Sequence, residues 1–328
     1  MIKSIFIIIG TVIGAGFASG QEIYIFFNKY NENGLAGLFI SNIITGIVIY
    51  AVLKKCNKSN ICTYRDLLKS TKTSEIITNT LNIIINVFLL ISFYIMVAGF
   101  TSYFYQEFKV SKTITSIIIL IICYIMFSKK IDGIAKVNNI IIPVLILAIT
   151  IIGIKINAVD EIIKINLEKI NWSANWIIKS MEYASYNSIL LIPMLINIKK
   201  FAKNREGIIS IGSTLILFVL SLVIYCSMLK YDVGTIEIPM VYISSTIGNF
   251  FKYLYGIVIV FAIYTTMISA GYGFLQNCTK TEKSYKKILI FMCISALFIS
   301  RFSFSGLVNL TYPVFGVLGA LQLVKLFW

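Results

Sequence analysis

Long apolar stretches recur along nearly the whole chain, and short polar segments separate them. Ten apolar windows long enough to cross a bilayer as a helix, which takes about 17 to 25 residues, fit the sequence, and the third is long enough to be strongly tilted. These predicted spans 1 to 10 lie at residues 3–28, 34–53, 75–106, 112–128, 136–156, 176–198, 206–230, 252–277, 285–301 and 304–327. Because the runs are continuous, the pattern predicts an all-α polytopic membrane protein and not a β-barrel.

Composition agrees with a membrane protein, since 58% of the 328 residues are hydrophobic, 13% are charged and the mean hydropathy is +0.87. The net charge of +15 is concentrated in alternate loops, which is typical of a topology signal rather than of a nucleic-acid binder. With a cytoplasmic N-terminus, 19 of the 29 Lys and Arg residues fall in inner segments. This predicts a multi-pass protein of the inner (plasma) membrane with both termini cytoplasmic and the lipid bilayer as a partner.

Catalysis is poorly supported by the residue types present. The chain has no histidine, and its six cysteines show no CxxC spacing. Histidine-dependent acid–base chemistry is therefore excluded, and no zinc or redox motif is indicated. No nucleotide-binding loop appears, so we expect neither an enzyme nor a bound cofactor.

Span 1 carries glycines at positions 10, 14, 16 and 20, followed by Gln21 and Glu22. Glycine permits unwinding, and an unwound stretch within a bilayer is tolerated where protein or a water-filled cavity satisfies its backbone. Alternatively, these glycines form small-xxx-small faces for close helix packing. A cleaved secretory signal is a further reading of this N-terminus, although residues 21–27 complete a membrane crossing better than they begin a soluble domain. Glu22 favours a functional break, because a carboxylate within a span is a functional candidate.

The stretch from Gly10 to Glu22, GTVIGAGFASGQE, resembles the signature of the YkvI-like membrane proteins. That family is placed in the amino acid-polyamine-organocation superfamily, which has the LeuT-type fold. The resemblance implies one transmembrane domain over 1–328, ten helices in a 5+5 inverted repeat of about 1–156 and 176–328, and breaks in helices 1 and 6. It also implies a substrate held between those two helices.

Span 6 offers a test of the inverted repeat, since it should also be interrupted. It contains Lys179 and Glu182, the run Tyr183 to Ser188, and Pro193, so small and hydrogen-bonding residues cluster where a break is expected. A packed helix whose Ser and Asn side chains bond to neighbouring helices is the alternative. We found no clear residue-level repeat between the two halves.

Span 8 reads Ala262 to Ser269, AIYTTMIS. The resemblance implies a Na⁺ site at which an alanine carbonyl and two hydroxyls of this span meet carbonyls of broken span 1. The matching positions are Gly10, Ile13, Ala262, Thr265 and Thr266. Oxygen ligands suit Na⁺, but threonines in membranes also commonly bond to carbonyls of their own helix. Span 5 lacks the interior lysine that replaces the ion in some relatives, and Phe17 stands where others bind a second sodium.

A small, aromatic and mildly polar cavity is expected between spans 1, 3, 6 and 8. Backbone at Ala15 and Gly16 could hold a substrate carboxylate, and aromatic faces with Glu22 or Glu182 could hold an ammonium group. These groups suit a small amino acid, and also a betaine-like cation. The candidate substrate-binding residues are Ala15, Gly16, Phe17, Ser19, Glu22, Tyr94, Tyr183, Ser185, Tyr186 and Asn187.

Three functions fit these observations. The first is a secondary transporter that couples symport of a small amino acid or related amine to Na⁺ as the coupling ion. The second is a proton-coupled transporter of the same fold that uses Glu22 or Glu182. The third is a ligand-sensing receptor subunit that does not move its ligand. The sequence does not specify the oligomeric state.

Overall fold

A computed structural model describes residues 1–59, 61, 64–70, 74–128, 134–159, 174–279 and 281–327, and these form helices and connecting segments without strands. The helices are α1 (Ile2–Val12), α2 (Ala15–Ser19), α3 (Gln21–Phe26), α4 (Glu32–Lys58), α5 (Tyr64–Lys69), α6 (Glu75–Phe108), α7 (Lys112–Ser128), α8 (Ile134–Val159), α9 (Ala174–Ala202), α10 (Glu206–Leu229), α11 (Pro239–Ile247), α12 (Asn249–Cys278), α13 (Glu282–Ile299) and α14 (Phe304–Phe327). A 3₁₀ turn, Asn28–Tyr30, joins α3 to α4.

Each predicted span falls on helical structure. Span 1 comprises α1, α2 and α3, and the other nine coincide with α4, α6 to α10 and α12 to α14. Among the described residues, α4, α6, α10, α12 and α14 are long and apolar enough to cross a membrane. Three shorter apolar helical stretches accompany them, Ile2–Val12, Lys112–Ser128 and Ile142–Ala158.

The two predicted helix breaks have different outcomes. Span 1 is interrupted between Val12 and Ala15, where its glycines favour unwinding. The predicted break in span 6 is wrong, because α9 is continuous from Ala174 to Ala202. Its Ser and Asn side chains are satisfied by their own helix: Asn187 donates to the Tyr183 carbonyl and Ser188 to the Ser185 carbonyl.

The helices pack in two groups with two further helices beside them. In the first group, α1 and α4 each contact both α9 and α10. In the second, α6 contacts α7, α12 and α13, and α13 also contacts α7 and α12. Helix α8 contacts α1, α10 and α12, whereas α14 contacts α9, α6 and α3. The broken span therefore lies within the first group, and α2 also contacts α12 of the second.

Large apolar side chains cover the outer faces of these helices. On α7 alone, Ile114, Ile117, Ile118, Ile121 and Ile125 are each about half exposed. A soluble monomer rarely exposes such a continuous apolar face, whereas lipid would cover it. The outer surface thus agrees with the apolar helices in identifying a protein embedded in a membrane.

Candidate functional site

The first span is interrupted by a tight turn centred on Ile13. Ile13 has a φ of −79° and a ψ of 78°, and the Gly14 amide donates to the Val12 carbonyl at 2.9 Å. These values define an inverse γ-turn. Gly14 then has extended backbone and precedes α2. In a continuous helix the Gly14 amide would donate to the Gly10 carbonyl, so the turn deprives that carbonyl of its helical donor.

A second turn at Gly20 folds α3 back toward the start of α2. The φ of Gly20 is +87°, a left-handed conformation that favours glycine. After this turn the Glu22 carboxylate lies close to the Phe17 amide of α2 and to the Tyr186 hydroxyl. A Cβ on Gly16 would overlap a carboxyl oxygen of Glu22. The amino end of α2 is therefore already beside the chain's own carboxylate.

Glu22 is 2% exposed, and its Oε2 has no hydrogen-bond partner within the described part of the chain. Tyr183, Tyr186 and Tyr312 lie close enough to this carboxylate to interact with its charge. The Phe26 ring stacks on Tyr186 with centroids 5.9 Å apart. We call Glu22, Phe26, Tyr183, Tyr186 and Tyr312 the Glu22 cluster.

Close packing of α14 on α9 brings Tyr312 into this cluster. A Cβ on Gly316 would meet the Glu182 side chain and backbone, and one on Gly319 would meet the Ser185 carbonyl. The missing side chains let the two backbones touch, and the Tyr312 and Tyr186 ring centroids are consequently 4.8 Å apart.

The structure brings part of the predicted Na⁺ ligand set together. The hydroxyls of Thr265 and Thr266 both donate to the Ala262 carbonyl, at 3.1 and 2.9 Å. The break faces this point, since a Cβ on Gly14 would be 3.5 Å from the Thr266 hydroxyl. On Gly10 a Cβ would instead overlap the Ile142 side chain of α8. The break therefore adjoins Thr266, and the hydroxyl protons of both threonines are used within α12.

The remaining predicted substrate residues are placed differently from one another. Ala15, Phe17 and Ser19 are buried on α2, and the Ser19 hydroxyl donates to the Gly16 carbonyl at 2.8 Å. Tyr94 shares a 2.6 Å hydrogen bond with Ser295 of α13, so its hydroxyl is engaged outside the Glu22 cluster. Ser185 and Asn187 are buried on α9.

Glu182 is paired within its own helix. Its carboxylate lies 2.5 Å from the Lys179 ammonium. Of the two glutamates considered for the site, Glu22 is thus the one with an unpartnered oxygen.

A segment before α11 covers the start of α3. The Gln21 side-chain amide donates to the carbonyls of Ile236 and Glu237, at 2.6 and 3.1 Å. The Ile238 amide donates to Gln106 of α6 at 3.1 Å, and Glu237 accepts from the Ser305 amide of α14 at 2.9 Å. These bonds connect α3, α6 and α14 beside Gln21, the residue that precedes Glu22.

Two proteins of Bacillus subtilis (strain 168) are similar to this chain. The uncharacterized membrane protein YkvI is 26% identical over 326 residues, which cover 95% of this chain and 90% of the relative. The uncharacterized protein YyaD is 28% identical over 336 residues, covering 99% and 95%. No family profile matches the chain. The chain is a membrane protein.

Sequence reasoning missed two members of the Glu22 cluster, Phe26 and Tyr312. Phe26 lies one helical turn after Glu22, so helical spacing from the carboxylate was an available signal. Tyr312 precedes Pro313 within an apolar span, but 19 tyrosines occur in the chain and its position alone does not distinguish it.

Proposed function

We propose that this membrane protein is a secondary transporter that moves a small amino acid or related amine by alternating access, coupled to Na⁺. The observation that carries the proposal is the interruption of the first span beside a buried carboxylate with an unpartnered oxygen. Backbone released from a helix within a membrane is tolerated where protein or a water-filled cavity satisfies it, and transporters use such breaks to bind substrates and ions. A carboxylate within a membrane span is a functional candidate.

Helix packing supports a 5+5 inverted repeat of about 1–156 and 176–328. If span 1 is exchanged for span 6, span 2 for span 7, and so on, several contacts map onto other contacts. The pair α4 and α9 becomes α10 and α1, and α1 with α8 becomes α9 with α14. The pair α8 and α12 likewise becomes α14 and α6. An inverted repeat produces such exchangeable packing, with the substrate at the interface of the repeats.

The proposed ion ligands are the carbonyls of Gly10, Ile13 and Ala262 with the hydroxyls of Thr265 and Thr266. A hydroxyl that donates its proton to Ala262 keeps lone pairs for a cation, and the break lies beside Thr266. Hard oxygen ligands of this kind suit Na⁺. In this proposal the ion is cargo that moves with the substrate.

Proton coupling through Glu22 is the second candidate. The unpartnered, buried Oε2 favours it, because a carboxyl group that alternates between a buried and a solvated setting can take up and release a proton. The two mechanisms differ in whether Na⁺ is needed.

The experiment that tests the proposal measures the melting temperature of the purified chain in NaCl and in KCl. We expect Na⁺ to raise the melting temperature relative to K⁺, and the double variant Thr265→Ala/Thr266→Ala to lose this difference. Thr214→Ala is the matched control, since Thr214 also donates to its own helix but lies on α10. Equal stability in both salts would contradict sodium coupling and leave the proton mechanism.

Reconstituted vesicles test whether the ligand moves. We expect an inward Na⁺ gradient to drive accumulation of a ligand that raises the melting temperature. A ligand that binds but never accumulates, under either a Na⁺ or a proton gradient, would show a sensor instead of a transporter.

A further inference from the structure

The groups that surround the Glu22 cluster indicate whether it binds a positively or a negatively charged ligand. This step rests on the proposed function, because it concerns the substrate of the proposed transporter. The amides at the start of α2 would attract a substrate carboxylate if they were free. Here Gly16 lies against the Glu22 carboxylate, which is also close to the Phe17 amide, so the chain's own carboxylate occupies this place. A negatively charged group at this place would meet a like charge.

The free oxygen of Glu22 needs a hydrogen-bond donor. Its Oε2 is buried and unpartnered among the described residues, and an unsatisfied buried acceptor is costly, most of all when it is charged. Lys179 of α9 and Lys29 of the 3₁₀ turn after α3 are engaged elsewhere. Lys179 pairs with Glu182, and Lys29 donates to Asn309 at 3.1 Å and lies over the Tyr24 ring. A donor brought by a ligand would satisfy the oxygen.

The walls of the cluster suit a cation as well. Phe26 lies 5.3 Å from Tyr183 and 5.9 Å from Tyr186, and Tyr312 lies 4.8 Å from Tyr186, measured between ring centroids. The faces of such rings attract ammonium groups, and the attraction is strongest away from water. A carboxylate flanked by aromatic rings therefore offers a cation both a counter-charge and ring faces that attract it.

We infer that the Glu22 cluster binds the ammonium group of an amine that keeps at least one N–H, and that this site holds no substrate carboxylate. The N–H donates to Glu22 Oε2, and the rings of Phe26, Tyr183, Tyr186 and Tyr312 flank the cation. A quaternary ammonium ion fits the rings but has no proton to donate, so it binds more weakly. The substrate class thus narrows from amino acids and amines to amines.

The test measures binding to the purified full-length chain by isothermal titration calorimetry at saturating NaCl. The probes are n-butylammonium, tetramethylammonium, n-butyrate and L-alanine. We expect n-butylammonium to bind at least about tenfold more tightly than tetramethylammonium, because a charge-assisted hydrogen bond is lost. We expect no measurable binding of n-butyrate, and weaker binding of L-alanine than of the amine.

Variants assign the binding to the cluster. Glu22→Gln should weaken n-butylammonium binding at least about tenfold, while Glu22→Asp keeps the charge and should retain part of the affinity. Glu75→Gln, which changes an exposed carboxylate at the start of α6, is the matched control and should bind normally. Tyr186→Phe keeps the ring and should bind better than Tyr186→Leu. Circular dichroism and gel filtration establish that each variant is folded.

Several results would overturn this inference. These are absence of amine binding at millimolar concentration, binding of n-butyrate or L-alanine as tight as that of the amine, or full amine affinity in folded Glu22→Gln. The proposed function fails separately. If Na⁺ stabilises the chain and vesicles accumulate another solute while amines do not bind, only the amine assignment is wrong. If amines bind but no gradient drives uptake, the transport proposal is wrong and the amine site remains.

Discussion

At the scale of single residues, Gly16 controls where the Glu22 carboxylate lies. The first atoms that an added Cβ would meet belong to the flexible end of Glu22, so we expect Gly16→Ala to displace the carboxylate without disturbing the helices. The affinity for n-butylammonium should fall about tenfold, which corresponds to about 1.4 kcal/mol, because the charge no longer faces the rings. Calorimetry and thermal melting measure the two effects.

Gly207→Ala is the control for that substitution, since a Cβ at Gly207 meets nothing within 4 Å and alanine suits the first turn of α10. We expect normal amine affinity and an unchanged or slightly raised melting temperature. A Gly16→Ala protein that binds amines as well as the Gly207→Ala protein would contradict the placement of Glu22 described above.

A hydrogen bond from the Tyr255 hydroxyl connects α12 to α2. This OH donates to the Ala18 carbonyl at 2.6 Å, and both residues are fully buried. Tyr255→Phe leaves that carbonyl without a donor, so we expect the free energy of unfolding to fall by about 1–3 kcal/mol. Thermal melting in detergent measures the loss. Tyr253→Phe, at an exposed residue of the same helix, should melt like the unmodified chain.

At the scale of helices, the contact of α14 with α9 depends on Gly319. A Cβ there would overlap the Ser185 carbonyl, which is backbone and cannot move without moving α9. Gly319→Ala should therefore cost about 1–3 kcal/mol of unfolding free energy, unlike Gly16→Ala, whose contact is with a flexible side chain. Comparing the melting temperatures of the Gly319→Ala, Gly16→Ala and Gly207→Ala proteins tests this. A Gly319→Ala protein as stable as the other two would show that the helices separate at little cost.

Glycine content explains why the sequence correctly predicts the break in span 1 and wrongly predicts a break in span 6. Span 1 has glycine at four positions, and its backbone turns at Ile13 and Gly14. Because glycine has a low helix propensity, unwinding there costs little free energy. Helix α9 has no glycine between Ala174 and Ala202, and its polar side chains bond to the carbonyls of their own helix. Clustered Ser and Asn residues therefore do not indicate a break unless glycine accompanies them.

The candidate site was predictable only for residues that stand out by their type within their own spans. Glu22, Tyr183 and Tyr186 stand out because they are polar within apolar spans. Tyr312 joins them through packing of α14 on α9, a contact between residues more than one hundred positions apart. Tyr94 meets Ser295 of α13 instead, because the direction of a side chain on a long helix depends on how that helix rotates against its neighbours.

At the scale of the whole molecule, the loop charges predict which ends of the helices face the cytoplasm. The segment after α12 carries Lys280, Lys283, Lys286 and Lys287, which the positive-inside rule places inside. Cys278 ends α12 and is the one exposed cysteine among those described. In a Cys62→Ser background we expect a membrane-impermeant maleimide to label Cys278 in inside-out vesicles and to leave it unlabelled in intact cells.

A cysteine on the other side of the membrane makes the labelling result decisive. Thr235 is exposed in the segment between α10 and α11, which the same rule places outside. Thr235→Cys, combined with Cys278→Ser and Cys62→Ser, should therefore label in intact cells. Of the two helices between these positions, α11 has nine residues and α12 is long and apolar enough to cross a membrane, so labelling from the same side would require that α12 fails to cross the bilayer. Reversed labelling of both would instead place the termini outside. The segment that covers the start of α3 would then lie on the cytoplasmic side of the Glu22 cluster.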